Sequence, residues 1–223
     1  MGCAAQTPPD AQIQSTSGAI AVEASTPVLE PAAIEESSPE PSASAVRPSP
    51  AMPLSRPIAA AAVAVSQDGR LVVAVNPDSN SITLVNAITL AVVAEIPVGD
   101  DPRTLSLTPD SKKALVANHG SATLSKVDLS QAVEFTQYPV GFMPYGVVTD
   151  GIHAFVTEFG LGTLSIIDLT TGELLTRIPV DAFPTGLALS RDGQRLLVTH
   201  FFTGRLTVIN SQAAAVLGTL SAG

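Results

Sequence analysis

The sequence predicts an all-β protein built of four sheet repeats, each with four short antiparallel strands. Two recurring features carry this prediction. A turn pair returns at intervals of 42, 40 and 42 residues, and a short apolar run follows each pair. The runs, LVVAVN, ALVANH, AFVTEF and LLVTHF, are rich in β-branched residues or leucine and favour strands. The turn pairs are Asp68-Gly69, Asp110-Ser111, Asp150-Gly151 and Asp192-Gly193.

A second strand-like run in every unit repeats this spacing without slippage. SITLVN, TLSKVD, TLSIID and RLTVIN all end in Asn or Asp. One further short run precedes each turn pair and another follows each closing Asn or Asp, so each unit contains four strands. Runs of this length bounded by Gly, Pro, Asp and Asn leave no room for a helix. We expect the closing side chains of Asn86, Asp128 and Asp168 to accept hydrogen bonds from backbone amides at the blade rims.

The middle strands of each unit are apolar on both faces, which is the pattern of a sheet packed between two other sheets. A propeller blade has this environment because it packs against a neighbouring blade on each side. One repeat alone has no core, so the repeats depend on each other for stability. The sequence therefore predicts a β-propeller of four blades, at residues 57–99, 100–141, 142–181 and 182–223.

Residues 1–56 differ in composition from the rest of the chain and predict a disordered leader. They contain nine of the eighteen prolines, interleaved with Ala, Ser, Thr and Glu. The start, Met1-Gly2-Cys3-Ala4, resembles that of a mature bacterial lipoprotein, in which a lipid-bearing cysteine precedes a flexible tether. A lipoprotein signal also needs a charged start and an apolar core before the cysteine. We therefore expect the reading frame to begin further upstream, with Cys3 as the lipidation candidate.

Charge and composition argue against several classes of function. The chain has a net charge of -9 and scattered Lys and Arg residues, which disfavours binding to nucleic acid. No apolar run approaches the ~18–20 residues of a spanning helix, so membrane contact is expected only through a lipid on Cys3. Because Cys3 is the single cysteine, no zinc or haem-attachment spacing exists. No GxSxG motif or glycine-rich phosphate loop is present, so we predict no catalytic residue and no cofactor.

Two segments carry a resemblance to a known repeat family. PDSKKALVANHGSATLSKVDL and DGIHAFVTEFGLGTLSIIDLTTGELLTRIPV resemble the YVTN-type β-propeller repeat, in which a strand ending in Asp leads to Thr-Gly and an Ile-Pro-Val-Gly-like close. The resemblance covers residues 57–223 and is strongest in the second and third units. The tryptophan-based propeller repeat is excluded because the chain has no Trp.

The resemblance also bears on blade number, because propellers of this family usually close with about seven blades. It implies that the chain is the N-terminal part of a longer protein, or that a partner copy supplies the missing blades. Open blade edges would then favour self-association. A compact four-bladed monomer is the remaining alternative.

One face of the predicted propeller collects the loops between the second and third strands and the loops between blades. In propellers this face commonly carries ligands. Neighbours along a strand alternate faces, so we expect one member of the pair Phe201-Phe202, and one of Phe155 and Phe159, to lie in the core. The residues expected on this candidate ligand face are Asn118, His119, Phe142, Met143, Tyr145, Glu158, Phe159, Phe183, His200 and Phe201.

A metal site on this face would use His119, Glu158 and His200, whose donor atoms suit zinc or a similar ion. The three residues belong to different blades, and no blade adds a second His or carboxylate that would preorganise a site. Exposed loop polarity is therefore the favoured interpretation, and the sequence assigns no metal.

The function predicted from these observations is that of a non-catalytic binding or scaffold propeller, tethered to the bacterial cell envelope and facing the periplasm or the exterior. Its partner would be a protein or a small ligand on the propeller face. The competing hypothesis is an enzyme part, because YVTN-type propellers resemble sheet domains of periplasmic redox proteins. In that case the cofactor domain lies outside this chain.

Overall fold

The structure is a computed structural model that describes residues 58–221. The predicted leader and Cys3 lie outside the described residues. Within that range the chain forms seventeen strands and one short 3-10 helix, Pro77–Ser79. No helix in this part of the chain is long and apolar enough to cross a membrane. The strands are β1 Ile58–Ala59, β2 Val63–Val65, β3 Leu71–Asn76, β4 Ser81–Asn86, β5 Val92–Pro97, β6 Pro102–Leu107, β7 Lys113–Asn118, β8 Thr123–Asp128, β9 Val133–Pro139, β10 Pro144–Thr149, β11 His153–Glu158, β12 Thr163–Asp168, β13 Leu174–Pro179, β14 Pro184–Leu189, β15 Arg195–His200, β16 Arg205–Asn210 and β17 Ala215–Ser221.

The strands form four antiparallel sheets that follow one another along the chain. The first sheet has the order β2-β3-β4-β5, the second β6-β7-β8-β9 and the third β10-β11-β12-β13. The fourth sheet has five strands in the order β1-β14-β15-β16-β17. The prediction of an all-β partial propeller with four blades is therefore confirmed.

The first described residues were not predicted correctly, because they contribute to two distant sheets. Ile58 pairs with Leu189 of β14, and the Ala60 N–H donates to the Leu187 carbonyl at 2.8 Å. Ala61 then forms an isolated bridge with Leu105 of β6, before the chain enters β2 of the first sheet. This segment covers part of the inner edges of the second and fourth sheets, which reduces the open strand edge.

The core consists of three apolar clusters, each lying between two consecutive sheets. Every interior sheet contributes one face to each neighbour, as expected from middle strands that are apolar on both faces. Phe155 and Leu164 of the third sheet, for example, pack with Leu196 and Val198 of the fourth. The first and second sheets share a cluster around Val73, Leu84, Leu105 and Val116, and the second and third share one around Leu115, Leu124, Val147 and Val156.

The residues that close the third strand of each sheet have the turn role predicted from the sequence. Asp168 Oδ1 accepts the backbone N–H groups of Thr170 and Thr171 at 2.6 and 3.1 Å. Asn210 Oδ1 accepts those of Gln212 and Ala213 at 3.0 and 2.8 Å. Asn86 and Asp128 do the same in the first and second sheets. The prediction that these side chains are structural is confirmed.

The aspartates in these turns make the stability of the fold depend on pH. The Ser130 hydroxyl and backbone amides lower the pKa of Asp128 below its ordinary 3.8, and the backbone amides of Thr170 and Thr171 lower the pKa of Asp168. A carboxyl with a depressed folded-state pKa stabilises the fold above its ordinary pKa, and that contribution is lost as the pH falls through the folded-state value. Stability is therefore expected to fall with acidification below the ordinary 3.8.

A double variant, Asp128→Asn with Asp168→Asn, tests this pH dependence. Asn occupies the equivalent positions 86 and 210 with the same backbone hydrogen bonds, so the turns are expected to persist. Because an amide takes up no proton, urea unfolding should show a smaller loss of stability between neutral pH and pH ~3 than in the wild type. An unchanged pH slope would show that these two carboxyls do not carry the effect.

Candidate functional site

The candidate site is a cluster of aromatic rings at the end of the stack where the second strand of each sheet turns into the third. Its six members, called here the aromatic surface, extend from the second sheet to the fourth. Adjacent rings lie with their centroids between 4.8 and 6.5 Å apart, in tilted or edge-to-face arrangements. The members are His119, Tyr145, Phe159, Phe183, Phe201 and Phe202.

Phe159 lies at the centre of the aromatic surface. Its ring centroid is 5.1 Å from that of Phe183, 6.1 Å from that of His119 and 6.2 Å from that of Tyr145. Phe201 lies on the other side at 6.5 Å. Phe159 therefore connects the loops of the second and third sheets to those of the fourth.

The outer part of the aromatic surface is exposed to solvent. Phe201 and Phe202 keep 64% and 68% of their accessible area, and their ring centroids lie 4.8 Å apart. The expectation that one of these two is a core residue is wrong, because both follow β15 in a turn and neither belongs to a strand. For Phe155 and Phe159 the expectation is confirmed, since Phe155 is 2% exposed and Phe159 is half-buried.

A repeated backbone hydrogen bond positions the aromatic residues. The N–H groups of Phe159 and Phe201 donate to the carbonyls of Met143 and Phe183 at 2.9 and 3.0 Å. His119 makes the equivalent bond to the Asp101 carbonyl at 3.0 Å. Each bond joins the loop inside one sheet to the loop that enters the same sheet. The sequence spacing of 42 and 40 residues thereby places the aromatic side chains side by side.

The accepting residues have a strained backbone. Asp101, Met143 and Phe183 have φ values of 50°, 56° and 54°, in the left-handed region that side chains larger than glycine rarely adopt. Each is followed by the proline that begins the inner strand of its sheet, where a missing N–H costs no ladder bond. In the fourth sheet this conformation directs the Phe183 ring against Phe159 and Phe202.

Phe142 occupies the same end of the third sheet but does not join the ring contacts. It is 56% exposed and lies against Gly160, whose N–H donates to the Phe142 carbonyl at 3.2 Å. A Cβ atom at position 160 would approach the Phe142 ring to 2.4 Å, so a larger residue there would displace the ring. Phe142 thus extends the exposed apolar area beside the aromatic surface.

The polar residues predicted for this face lie beneath it, inside the sheets. Asn118, Glu158 and His200 end the second strand of their sheets, and their exposures are 0%, 0% and 4%. Asn118 Nδ2 donates to Thr123 and Ser125, five and seven residues further on, at 3.0 and 2.7 Å. His200 Nε2 lies 2.9 Å from Thr207 Oγ1, again seven residues on. These side chains join the second strand to the third.

Glu158 has the most complete set of partners. Its carboxylate accepts hydrogen bonds from Gly141 N at 2.7 Å, from Thr163 Oγ1 and Ser165 Oγ at 2.5 Å each, and from Arg177 Nε at 3.1 Å. A buried charge is tolerated when it is paired and hydrogen-bonded in this way. Both carboxylate oxygens are engaged by donors of the chain itself, so the geometry gives Glu158 a structural role.

The metal interpretation of His119, Glu158 and His200 gains no support from the geometry. Within residues 58–221, no three His, Cys, Asp or Glu side chains are grouped closely enough to hold a metal ion. His119 Nδ1 lies 3.2 Å from the Pro144 carbonyl, while Glu158 and His200 belong to the separate internal networks of two sheets.

Charged residues border the aromatic surface as ion pairs. Asp181 pairs with Arg205 at 2.9 Å, and Asp101 pairs with Arg103 at 2.7 Å. The Ala182 N–H and the Arg205 guanidinium lower the pKa of Asp181, so this carboxyl is ionised at neutral pH. The same end of the sheets therefore carries charged side chains as well as aromatic ones.

A comparison of this chain with known proteins finds similarity to β-propellers. Residues 35–134, somewhat less than half of the chain, match a family model described as "Lactonase, 7-bladed beta-propeller". A search of the curated proteins by sequence gave no match. Among solved structures, hydrazine synthase from Kuenenia stuttgartiensis is similar with 27% identity and a TM-score of 0.65, over 70% of this chain and 47% of that one.

Two further structures share the fold at lower sequence identity. Dihydro-haem d1 dehydrogenase NirN matches with 21% identity and a TM-score of 0.60, over 73% of this chain and 37% of that one. A functionally unknown protein from Desulfotomaculum acetoxidans DSM 771 matches with 19% identity and a TM-score of 0.63, over 74% and 56%. The chain thus spans between about a third and somewhat over half of the length of these three structures.

Proposed function

We propose that this chain is a non-catalytic binding propeller of the bacterial cell envelope, and that its aromatic surface binds a protein partner. The observation that carries the proposal is the exposed pair Phe201 and Phe202, continuous through Phe159 with the rings of two further loops. Clustered aromatic residues with a polar border are enriched in protein interfaces and supply most of their binding energy.

Two of the polar residues predicted for this face have partners elsewhere, which favours binding over catalysis. Glu158 and His200 are engaged inside their sheets. Two shallow depressions of about 450 and 410 Å³ lie at the opposite end of the sheets, around Asp192 and Asp68. Neither depression is lined by a residue of the aromatic surface. The YVTN-type repeat and a lipid on Cys3 remain part of the proposal and support an extracytoplasmic location.

The test is capture of a partner from an extract of the source bacterium on immobilised full-length chain. A protein retained by the wild type is then purified, and its affinity for the chain is measured. Phe201→Ser with Phe202→Ser should weaken that affinity at least about tenfold, since hot-spot aromatics cost more than ~1.4 kcal/mol when removed. Ile152→Ser, 60% exposed at the opposite end of the third sheet, is the matched control and should bind as the wild type does.

Equal affinity of the double variant and the wild type would contradict the proposed surface. Hydrolysis of a lactone by the purified chain would contradict the non-catalytic assignment, and the matched family description makes lactones the appropriate substrates to assay.

The second candidate function is the propeller part of a redox enzyme whose cofactor is held elsewhere. The favouring observation is the 27% identity with a structure named hydrazine synthase over 70% of this chain. The capture experiment separates the two functions, because a haem-bearing partner would add a Soret absorbance band to the complex. A partner without visible absorbance would favour the binding protein.

A further inference from the structure

The stack of four sheets ends in two apolar faces that no other sheet covers within residues 58–221. The leading face is the side of the first sheet that points away from the second, and it carries Val63, Val65, Val72 and Val85. The trailing face is the side of the fourth sheet that points away from the third. It carries Leu197, Leu206, Val208 and Leu220.

The leading face is the repeat equivalent of surfaces that are buried elsewhere in the same molecule. Val63 and Val65 are 53% and 55% exposed. Their equivalents 42 residues later, Leu105 and Leu107, are 0% and 9% exposed because the first sheet packs against them. The chemistry of the position is the same, and the difference is that no sheet among residues 58–221 packs on Val63 and Val65.

The trailing face shows the same contrast. Leu220 is 59% exposed, whereas its equivalent in the third sheet, Ile178, is 5% exposed at the junction with the fourth sheet. Leu206 is half-buried, and its equivalent Leu164 is completely buried. Leucine and isoleucine at these positions are therefore suited to a following sheet.

At the trailing face, a threonine hydroxyl that elsewhere joins two sheets by a hydrogen bond has an acceptor role but, among residues 58–221, no acceptor of its own. Thr157 Oγ1 accepts the Gly146 N–H at 2.7 Å and donates across the junction to the Thr185 carbonyl at 3.0 Å. The equivalent Thr199 Oγ1 accepts the Gly186 N–H at 3.0 Å. In the part of the chain that the structure describes, its hydroxyl donates to no acceptor, so this donor is available to a sheet that packs there.

We propose that the trailing face of one copy of this chain packs on the leading face of a second copy. The occupant is a second copy because each of the three internal junctions is already formed by this same pair of repeat-equivalent faces. One chain therefore carries both halves of a further junction. Two copies related by a two-fold axis make the contact twice and bring eight sheets together, within the range of four to eight blades that propellers form.

The test is the solution mass of the full chain, measured by light scattering after size exclusion. The wild type should have twice the mass of the 22.8 kDa chain. Val65→Glu, which alters only the leading face, and Leu220→Arg, which alters only the trailing face, should each be monomeric. An equimolar mixture should form a one-to-one dimer, because each variant retains the face that the other has lost.

Matched controls make every outcome informative. Ile152 is an equally exposed apolar residue in the turn between β10 and β11 and lies on neither end face, so Ile152→Arg should leave the mass unchanged. Val65→Ser and Leu220→Ser repeat the experiment without a buried charge if a charged variant does not fold. A monomeric wild type overturns the proposal, and so does a failure of the mixture to associate. Dimers of Leu220→Arg alone would show that leading faces pair with each other instead.

Discussion

Replacing Phe155 with Ala is expected to lower the free energy of unfolding by about 3–5 kcal/mol, the usual cost of removing a buried Phe side chain. Phe155 is 2% exposed in β11 and packs in the cluster that joins the third sheet to the fourth. Its ring lies among Leu164, Leu196 and Val198, which cannot collapse into the space without moving both sheets. Urea unfolding with linear extrapolation measures the change.

Phe202→Ala is the matched control for this prediction. The same side chain is removed, but Phe202 is 68% exposed on the aromatic surface. Its free energy of unfolding should change by less than about 1 kcal/mol, as is usual for exposed positions. Similar losses from both variants would mean that burial between the sheets does not determine the stability of this fold.

Replacing Glu158 with Ala is expected to cost about 3 kcal/mol, the second largest effect. The substitution removes the acceptor for Gly141 N–H and for the hydroxyls of Thr163 and Ser165. Buried donors that lose their acceptor carry their full desolvation penalty, and breaking a buried ion pair adds to it. The Arg177 side chain is 41% exposed, so in the variant its charge can be hydrated. The expected loss of stability therefore lies at the lower end of the range for a broken buried ion pair.

Glu158→Asn separates the lost hydrogen bonds from the lost charge. Asn118 occupies the equivalent position in the second sheet and bonds to Thr123 and Ser125, which match Thr163 and Ser165. The Asn variant should therefore lose less than half of the stability that the Ala variant loses. Equal losses in thermal or urea unfolding would show that the carboxylate charge, and not the strand-joining bonds, is what position 158 requires.

The spacing of turns and strands was sufficient to predict the four sheets, because each sheet repeats the same local chemistry. Asp168 and Asn210 illustrate this, since their side-chain oxygens accept hydrogen bonds from residues two and three positions away. The pairing of Ile58 with Leu189 could not be predicted, because it joins residues far apart in the chain. No local pattern distinguishes that short strand from the beginning of β2.

The candidate site was predicted in position but only partly in composition. His119, Phe159 and Phe201 follow the second strands, so the repeat places them at one end of the stack. The residues that precede them, Asn118, Glu158 and His200, were predicted to lie on the same surface because polar residues at strand ends are usually exposed. The Thr or Ser seven residues later is the signal that would have revealed their internal bonds.

Phe202 was missed as a site residue because strand alternation was applied beyond the end of β15, where the chain has already turned. The edge-to-face contact of Phe202 with Phe183 depends on the left-handed backbone at position 183. A positive φ at a residue other than glycine is not apparent in the sequence. The ring cluster as a whole therefore became visible only in three dimensions.

The dependence of each sheet on its neighbours is tested most directly by amide hydrogen exchange, resolved by segment, on the Phe155→Ala variant. Phe155 belongs to the third sheet but packs against the fourth. Protection should therefore fall together in β11, β12, β15 and β16, while β3 and β4 of the first sheet keep more of theirs. A loss of protection confined to the third sheet would contradict the account, because it would show that the sheets are stable independently.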